Sequence, residues 1–383
     1  MVWGVGIRED IVLIIKKRDV EDIDEIIALT REAGYEPKHI IEVSKNDSNC
    51  YLTYGKLLRM KYIIEDSNIR KLCIYDQLKP RQFSCLIREL GVEVLDKVML
   101  ILKIFQMHAG SREAILQIEL ARLLHELPLI REWIRRSKLG ELPGFLGGGR
   151  YAIDFQYEHI RRRIAKIRDE LEELRKRRNT EREKRGYSGW IHVAIIGYTN
   201  AGKTTLFNAL TNLNKPTGNE MFTTLTPKSY AIDVCRNSFN SKIVLIDTIG
   251  FIKDLPIEII EAFKAVLEEI RNSDILLFVI DASKNLNAIY TEINSVLEVL
   301  QSIGFEGKPM IIALNKLDLM NMDDNTSLSN LSYEIYKYLS YRNANIFNIV
   351  PISAYLNINL DILKESLCQV AQQLKNSANT YTF

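Results

Sequence analysis

An octapeptide in the second half of the chain, GYTNAGKT from Gly197 to Thr204, has the spacing G-x-x-x-x-G-K-[ST]. Glycine lets such a backbone curl so that successive N–H groups point at phosphate oxygens. Lys203 would reach the β- and γ-phosphates, and the Thr204 hydroxyl would ligate Mg²⁺. An apolar run precedes the loop at 191–196 and a helical pattern follows it, so the positive end of a helix would face the phosphates. The residues predicted to surround the phosphates are Gly197, Tyr198, Thr199, Asn200, Ala201, Gly202, Lys203, Thr204 and Thr205.

The choice of base depends on the tetrapeptide NKLD, which follows the apolar run PMIIAL. Asp318 can accept hydrogen bonds from N1–H and the exocyclic amine of guanine. Adenine offers no such donor pair, so it would leave the carboxylate unpaired. Asn315 would brace the loop, and the stem of Lys316 would pack on the base. After the last apolar run, Ser353 and Ala354 would bring a backbone N–H to the guanine oxygen, so these residues together predict specificity for guanine.

A third motif, DTIG, ends the apolar run KIVLI. Asp247 would hold Mg²⁺ through water, and the Gly250 N–H would contact the γ-phosphate. Between the phosphate loop and this motif lies MFTTLTP at 221–227. There Thr224 is the predicted switch threonine that closes on Mg²⁺ and the γ-phosphate, with Thr223 as the alternative. Phe222 completes the predicted nucleotide contacts.

The order and spacing of these motifs match a GTPase domain of the translation-factor-like class. The predicted metal ligands are Thr204, Thr224 and Asp247. The predicted catalytic residues are Lys203, Thr224, Gly250 and Asn200. The sequence therefore predicts hydrolysis of GTP to GDP and phosphate, with Mg²⁺ as the cofactor.

Two positions bear on the rate of hydrolysis. Ras-like proteins place a glutamine after the DxxG glycine to orient water, but here the residue is Phe251, which can neither orient nor deprotonate water. We therefore expect slow intrinsic turnover that a partner stimulates. An asparagine at the position of Asn200 is found in GTPases that use K⁺ as a charge substitute. It could equally be a loop-bracing residue, and both interpretations stay open.

Composition sets the broad class. The chain has 383 residues, so more than one domain is expected. Its net charge is only +2, so any basic surface patch must be confined to one part of the molecule. The five scattered cysteines include no CxxC pair, which predicts a reducing, cytoplasmic setting without a disulfide framework or zinc site. The N-terminal apolar run is too short to span a bilayer and lacks a signal-peptide pattern.

The motifs fall in the last of three predicted domains. Alternating apolar runs and helical patterns over 1–107 predict a small α/β domain with a mostly parallel sheet. Residues 108–188 predict a long antiparallel helical hairpin with a glycine-rich loop at 140–150. Residues 189–383 return to alternating strands and helices, a mostly parallel sheet that carries the GTP-binding motifs.

The hairpin is predicted from two heptad seams. Its second helix is net basic, with twelve Lys or Arg against seven Asp or Glu between residues 158 and 185. A solvated face with helix-spaced ion pairs is the common explanation of such a run. The alternative is an RNA-facing patch near the hinge, formed by Arg131, Arg135, Arg136, Lys138 and residues 161–163.

Several segments resemble the HflX family of GTPases, namely GYTNAGKTTLFNAL, FTTLTP, DTIGFIKDLP and the stretch 75–128. The resemblance spans nearly the whole chain. It implies association with the large ribosomal subunit and its rRNA, in splitting or rescue of stalled ribosomes, with the contacts made by the N-terminal domain and the hairpin. The chain departs from the family at Arg150, where an acidic residue is usual, and we expect it to lack the C-terminal domain of many bacterial members.

Three functions are compatible with these features. The first is a ribosome-associated regulatory GTPase, and the second is a GTP-dependent switch for a protein partner or membrane system with the hairpin as docking arm. The third, a metabolic enzyme that uses GTP as phosphoryl donor, has no motif for a second substrate. We expect a monomer without a membrane span. The segment around Gly55 and Lys56 is the one hint of a second nucleotide in the N-terminal domain.

Overall fold

The computed structural model describes residues 8–109, 111–138, 149–186, 190–213, 228–235, 242–248, 250–253, 259–260, 264–305, 307–320 and 325–380. The chain divides into two compact units. One comprises Met1–Leu174 with Pro256–Ala262, and the other comprises Arg175–Leu255 with Phe263–Phe383. Together they have the α/β architecture that the sequence predicts.

The first unit begins with a four-stranded sheet in the order β2-β1-β3-β4, and all its strand pairs are parallel. The strands are β1 (Glu9–Lys16), β2 (Tyr35–Val43), β3 (Lys71–Ile74) and β4 (Glu93–Asp96), and the helices are α1 (Ile23–Glu32), α2 (Tyr54–Ser67), α3 (Pro80–Leu90) and α4 (Lys97–His108). Five consecutive residues of β1, 11–15, are fully buried, as expected for a strand covered by helices on both faces.

Two long helices follow, α5 (Arg112–Lys138) and α6 (Gly149–Gly186). Within the first unit, these two helices form the antiparallel hairpin that the heptad seams predict. The buried seam residues are Leu116, Leu120, Leu123, Ile130, Ile160, Ile164 and Ile167. Across it, Arg163 donates two hydrogen bonds of 2.7 Å to Glu119, and Arg112 pairs with Glu170 at 3.0 Å. Glu119 comes after Arg112 in α5, whereas its partner Arg163 comes before Glu170 in α6, so the two helices run antiparallel.

The second unit contains a six-stranded sheet in the order β10-β9-β8-β5-β7-β6. Its strands are β5 (Ile191–Gly197), β6 (Lys228–Asp233), β7 (Lys242–Asp247), β8 (Ile275–Asp281), β9 (Met310–Asn315) and β10 (Ile346–Pro351). Its helices are α7 (Lys203–Thr211), α8 (Lys264–Asn272), α9 (Leu286–Ser302), α10 (Asn325–Tyr341) and α11 (Leu360–Thr380). Only the edge pair β6–β7 is antiparallel among the strands described.

The structure adds elements that the sequence patterns did not predict. β4 is only four residues long and runs directly into α4, because Asp96 ends the strand and caps the helix by accepting a hydrogen bond from Met99 N at 3.0 Å. β6, KSYAID at a sheet edge, contains only three consecutive apolar residues, so no long apolar run marks it. The glycine-rich segment predicted at 140–150 lies largely outside the described residues.

The cysteines contradict the expectation of a chain without disulfides. Cys50 is bonded to Cys85, and Cys235 is bonded to Cys368, while Cys73 is buried and free. The bonded cysteines are 35 and 133 residues apart, so only the fold brings them together and no short spacing marks the pairs. One bond joins the segment after β2 to α3, and the other joins the end of β6 to α11.

Among the helices in the described ranges, none combines the length and the apolar character that crossing a bilayer requires.

Candidate functional site

The predicted motifs meet at the carboxyl edge of the six-stranded sheet. β5 ends at Gly197, β7 at Asp247 and β9 at Asn315. The registers align these ends, since Ile195 pairs with Asp247 and Asp281 of β8 pairs with Asn315. Ligands of open α/β sheets bind outside the carboxyl ends of the strands, and the topology therefore places one site here.

The phosphate loop curls between β5 and α7 with two glycines in conformations that exclude side chains. Gly197 has φ 151°, and a Cβ there would lie 2.3 Å from the Val279 carbonyl oxygen. Gly202 has φ 93°, and its Cβ would lie 2.2 Å from Asn315 Nδ2. Both glycines are thus required by a close neighbour, a backbone carbonyl at Gly197 and a side-chain amide at Gly202, as well as by φ. Gly202 precedes the first residue of α7, so the loop ends on a helix N-terminus, a favourable position for an anion.

Lys203 is buried inside this loop. Its Nζ donates to the Tyr198 carbonyl oxygen at 2.6 Å. Burial lowers the pKa of the Lys203 ammonium to about 8, while the carboxylates of Asp247 and Glu292 oppose that shift. A bound phosphate would add to the negative charge that these two carboxylates supply to the buried ammonium.

Thr204 and Asp247 lie side by side, with the Thr204 hydroxyl donating to Asp247 Oδ2 at 3.2 Å. Asp247 is fully buried. A hydroxyl and a carboxylate at the mouth of a phosphate loop suit Mg²⁺, which takes oxygen ligands and shares them with phosphates and water. The side chains present therefore fit the expected metal. Thr224, Thr223 and Phe222 lie outside the described residues.

Asn315 connects the two halves of the site. Its Nδ2 donates to the Ala201 carbonyl oxygen at 2.8 Å, and its Oδ1 accepts from Ala354 N at 2.9 Å. One buried amide thereby holds the phosphate loop and the loop after β10 together. The Ala354 N–H, to which the sequence assigned the guanine oxygen, is engaged with this side chain.

Asp318 is oriented by a buried serine. The Ser353 hydroxyl donates to Asp318 Oδ1 and accepts from Leu356 N at 3.1 Å, and Ser353 is fully buried. The bond to Ser353 uses one carboxylate oxygen, so its direction limits how the carboxylate can rotate.

Lys316 is held by a residue that sequence reasoning missed. Its Nζ pairs with Asp281 Oδ2 at 2.8 Å, and Asp281 is buried at the end of β8. The other oxygen of Asp281 accepts from the Ser283 N–H and hydroxyl. The available signal was a carboxylate at the carboxyl end of an apolar run, the same position that Asp247 occupies on β7.

The DxxG segment lies directly against the phosphate loop. A Cβ on Gly250 would be 2.9 Å from Thr199 Cγ2 and 3.0 Å from Lys203 Nζ. Thr248 is buried and donates to the Ile195 carbonyl oxygen at 2.6 Å, which fixes the segment to β5. Asn200 is exposed, in the left-handed region at φ 61°. The site thus combines a phosphate cradle, oxygen ligands for a divalent cation and a braced carboxylate for a base.

Family models match three consecutive parts of the chain. Residues 20–106 match the GTP-binding GTPase N-terminal region, residues 108–185 match the GTP-binding GTPase middle region, and residues 192–316 match the 50S ribosome-binding GTPase family. Together the three models span most of the chain.

Relatives match over nearly their whole length. A GTPase HflX of Hyperthermus butylicus is 44% identical over 362 residues, covering 92% of both chains. A GTPase HflX of Saccharolobus solfataricus is 42% identical over 358 residues, covering 92% of this chain and 96% of the relative. Among solved structures, a GTP-binding protein of Sulfolobus solfataricus in complex with GDP has 36% identity and a TM-score of 0.51, covering 96% of this chain and 99% of that one.

Proposed function

Because the chain belongs to the HflX family of GTPases, and is thus a GTP-hydrolysing enzyme, we propose that it is a cytoplasmic, monomeric switch that binds the large ribosomal subunit in ribosome splitting or rescue. The nucleotide-binding part of this proposal rests on two hydrogen bonds of the Asn315 side chain, one to the phosphate loop and one to the loop of Ala354. These bonds couple the two ends of one guanine nucleotide site. The ribosomal part rests on the match of residues 192–316 to 50S ribosome-binding GTPases.

In this proposal, different residues bind different parts of the nucleotide. Asp318 recognises the guanine base, and Lys203 and the loop N–H groups bind the phosphates. Mg²⁺, held by Thr204 and Asp247 and, in the GTP state, by Thr224, would neutralise charge that develops on the phosphates. The Gly250 N–H senses the γ-phosphate. The ring of Phe251 offers no group to orient water, so slow turnover is expected until a partner completes the site.

Asn200 is our proposed contact for a potassium ion, because its exposed position on the loop leaves the amide oxygen accessible. Hydrolysis should be faster in K⁺ than in Na⁺, and the variant Asn200→Ala should lose that difference. Equal rates in the two buffers would discard the potassium role and leave Asn200 as a loop residue.

The hinge end of the hairpin is our proposed RNA contact, and the ion pairs there decide which arginines are available. Arg136 is buried and donates to Glu132 at 2.9 Å, so it stabilises the helix rather than facing a partner. Arg131 and Arg135 are exposed, although Arg131 donates to the Tyr157 hydroxyl and Arg135 also bonds Glu132. Exposed guanidinium groups can exchange such contacts for phosphate oxygens.

Co-sedimentation with large ribosomal subunits tests the proposal. The full chain should pellet with the subunits in the presence of a nonhydrolysable GTP analogue and less so with GDP. Failure to pellet in either nucleotide state, while nucleotide still binds, would overturn the ribosomal role and favour a protein partner.

Charge reversal then tests the hairpin. Arg131→Glu with Arg135→Glu should weaken subunit binding about tenfold or more and flatten its salt dependence, with a log–log slope lower by about two. GTP binding should be unchanged. The matched control reverses two charges near the end of α10, Lys337→Glu with Arg342→Glu. Unaltered subunit binding by the hairpin variant would remove this end of the hairpin from the interface.

A further inference from the structure

The phosphate loop and the residues after DxxG are joined by a short backbone ladder. Tyr198 and Phe251 form a parallel bridge. Thr199 N donates to the Phe251 carbonyl oxygen at 2.8 Å, and Phe251 N donates to the Gly197 carbonyl oxygen at 3.1 Å. Phe251 is almost fully buried. The ladder therefore extends the β5–β7 pairing beyond both strand ends, into the place where the two motifs must respond to a γ-phosphate.

The side chain of Tyr198 adds a further bond to the ladder. Its hydroxyl accepts a hydrogen bond from Lys253 N at 2.8 Å, so the ring spans from the phosphate loop to the segment after Phe251. Only 4% of Tyr198 is exposed. The ammonium of Lys284 lies 5.6 Å from the ring centroid and also pairs with the buried Glu292. The ring is thus held by its packing and by a cation, and its hydroxyl reaches one specific amide.

The ladder brings Gly250 against the catalytic lysine. A methyl-sized group on Gly250 would already press on Lys203 Nζ and Thr199 Cγ2, at 3.0 and 2.9 Å. A γ-phosphate must be placed between the Gly250 N–H and the Lys203 ammonium to accept from both. Entry of that group therefore requires Gly250 and the residues bonded to it to move away from the loop, whereas a diphosphate makes no such demand.

We propose that the Tyr198 hydroxyl is a latch that holds residues 250–253 closed on the phosphate loop and so biases the site towards GDP. Tyr198 is a positioning residue in this proposal. Its hydroxyl acts through Lys253 and Gly250, and the bond to Lys253 is made in the closed state and broken when the γ-phosphate enters. A ligand can shift such an equilibrium only by its differential affinity for the two states. The hydroxyl therefore changes the ratio of GTP to GDP affinity rather than nucleotide binding in general.

The variant Tyr198→Phe removes one oxygen atom and keeps the ring under Lys284. Fluorescent GDP and a fluorescent nonhydrolysable GTP analogue are titrated with Mg²⁺ into the full-length protein. The affinity for the GTP analogue relative to GDP should rise about two- to tenfold, the range for loss of one neutral hydrogen bond. The matched control is Tyr338→Phe, which removes a hydroxyl that donates to Asn294 at 3.0 Å on α9 and should leave the ratio unchanged.

The hydrogen-exchange rate of the Lys253 amide in the nucleotide-free protein is a second readout. A purely structural role of the Tyr198 hydroxyl would not change this rate selectively. Exchange should be about two- to tenfold faster in Tyr198→Phe and unaltered in Tyr338→Phe. An unchanged nucleotide ratio, equal weakening of both nucleotides, or a shift towards GDP would overturn the latch. The proposal rests on nucleotide binding at this site. Failure of the unaltered protein to bind GDP would instead refute the site assignment, so the two failures are distinguishable.

Discussion

At the residue scale, the proposed recognition of guanine depends on Asp318, whose carboxylate is oriented by a buried serine. Ser353 is fully buried and donates to Asp318, and the same loop is tied to the phosphate loop through Asn315. A partly buried carboxylate aimed at two donors discriminates between bases, because a ligand without those donors leaves it unpaired.

Asp318→Asn tests this recognition. The amide offers a donor where the exocyclic amine of guanine also donates, so the bond to the amine is lost, the bond to N1–H loses its charge assistance, and GDP affinity should fall by about 10²-fold or more. Xanthosine diphosphate, which presents an acceptor at the position of the exocyclic amine, should bind the variant better than GDP does. Calorimetric titration of both nucleotides measures the effect. Retained GDP affinity would show that the base is recognised elsewhere.

Lys203 predicts a pH dependence of nucleotide binding. Burial lowers the pKa of its ammonium to about 8, so the free protein loses this proton as the pH rises through that value. Phosphate favours the charged form and raises the pKa again. Nucleotide binding should therefore take up a proton above about pH 8, and affinity should fall by up to about tenfold per pH unit there.

Calorimetry at pH 9 in buffers with different ionisation enthalpies checks this expectation. The heat of GDP binding should depend on the buffer at pH 9, and the contribution from this group should vanish at pH 7, where Lys203 is protonated in both states. Equal proton uptake at pH 7 and pH 9 would show that a group other than Lys203 takes up the proton.

At the element scale, contacts between distant segments support the site and the hairpin. The bond between Cys235 and Cys368 ties the end of β6 to α11 over 133 residues. A bond that closes so long a loop restricts the unfolded chain strongly, and loss of a native disulfide commonly costs about 2–5 kcal/mol. In the hairpin, the bidentate bond of Arg163 to Glu119 aligns the two helices at a defined register.

Cys368→Ser should lower the melting temperature by about 5–15 °C, given the stability lost and the size of the domain. Reductant should lower the melting temperature of the unaltered protein by a comparable amount. It should have no effect on a control with both bonds removed, Cys50→Ser with Cys368→Ser. Thermal melts with and without reductant measure both. Five titratable thiols in the unaltered, unfolded protein would contradict the bonded pairs.

At the scale of the whole molecule, three matched family regions run from residue 20 to residue 316. The region that carries the nucleotide motifs is therefore only one of the three parts that the family models match. The group after DxxG is an almost fully buried phenylalanine. In the proposed function a partner completes such a site, and partner-supplied groups accelerate phosphoryl transfer by about 10³–10⁵-fold.

Turnover of GTP by the full chain should therefore be slow alone and rise steeply, by about 10³-fold, on addition of saturating large ribosomal subunits. Phosphate release at equal enzyme concentration measures the effect, with small ribosomal subunits as the control. Equal rates with and without large subunits would contradict the dependence on a partner.

The sequence by itself determined the chemistry and the class of fold. Phosphate cradles, guanine-binding tetrapeptides and heptad seams are local patterns, because a loop, a strand end or a helix face is built from residues close together in the chain. Tertiary structure alone decided the two disulfides, the pairing of Asp281 with Lys316, the burial of Arg136 and the contact of Tyr198 with Lys253. Most of these join segments far apart in sequence, and each depends on how the chain packs, which no local spacing encodes.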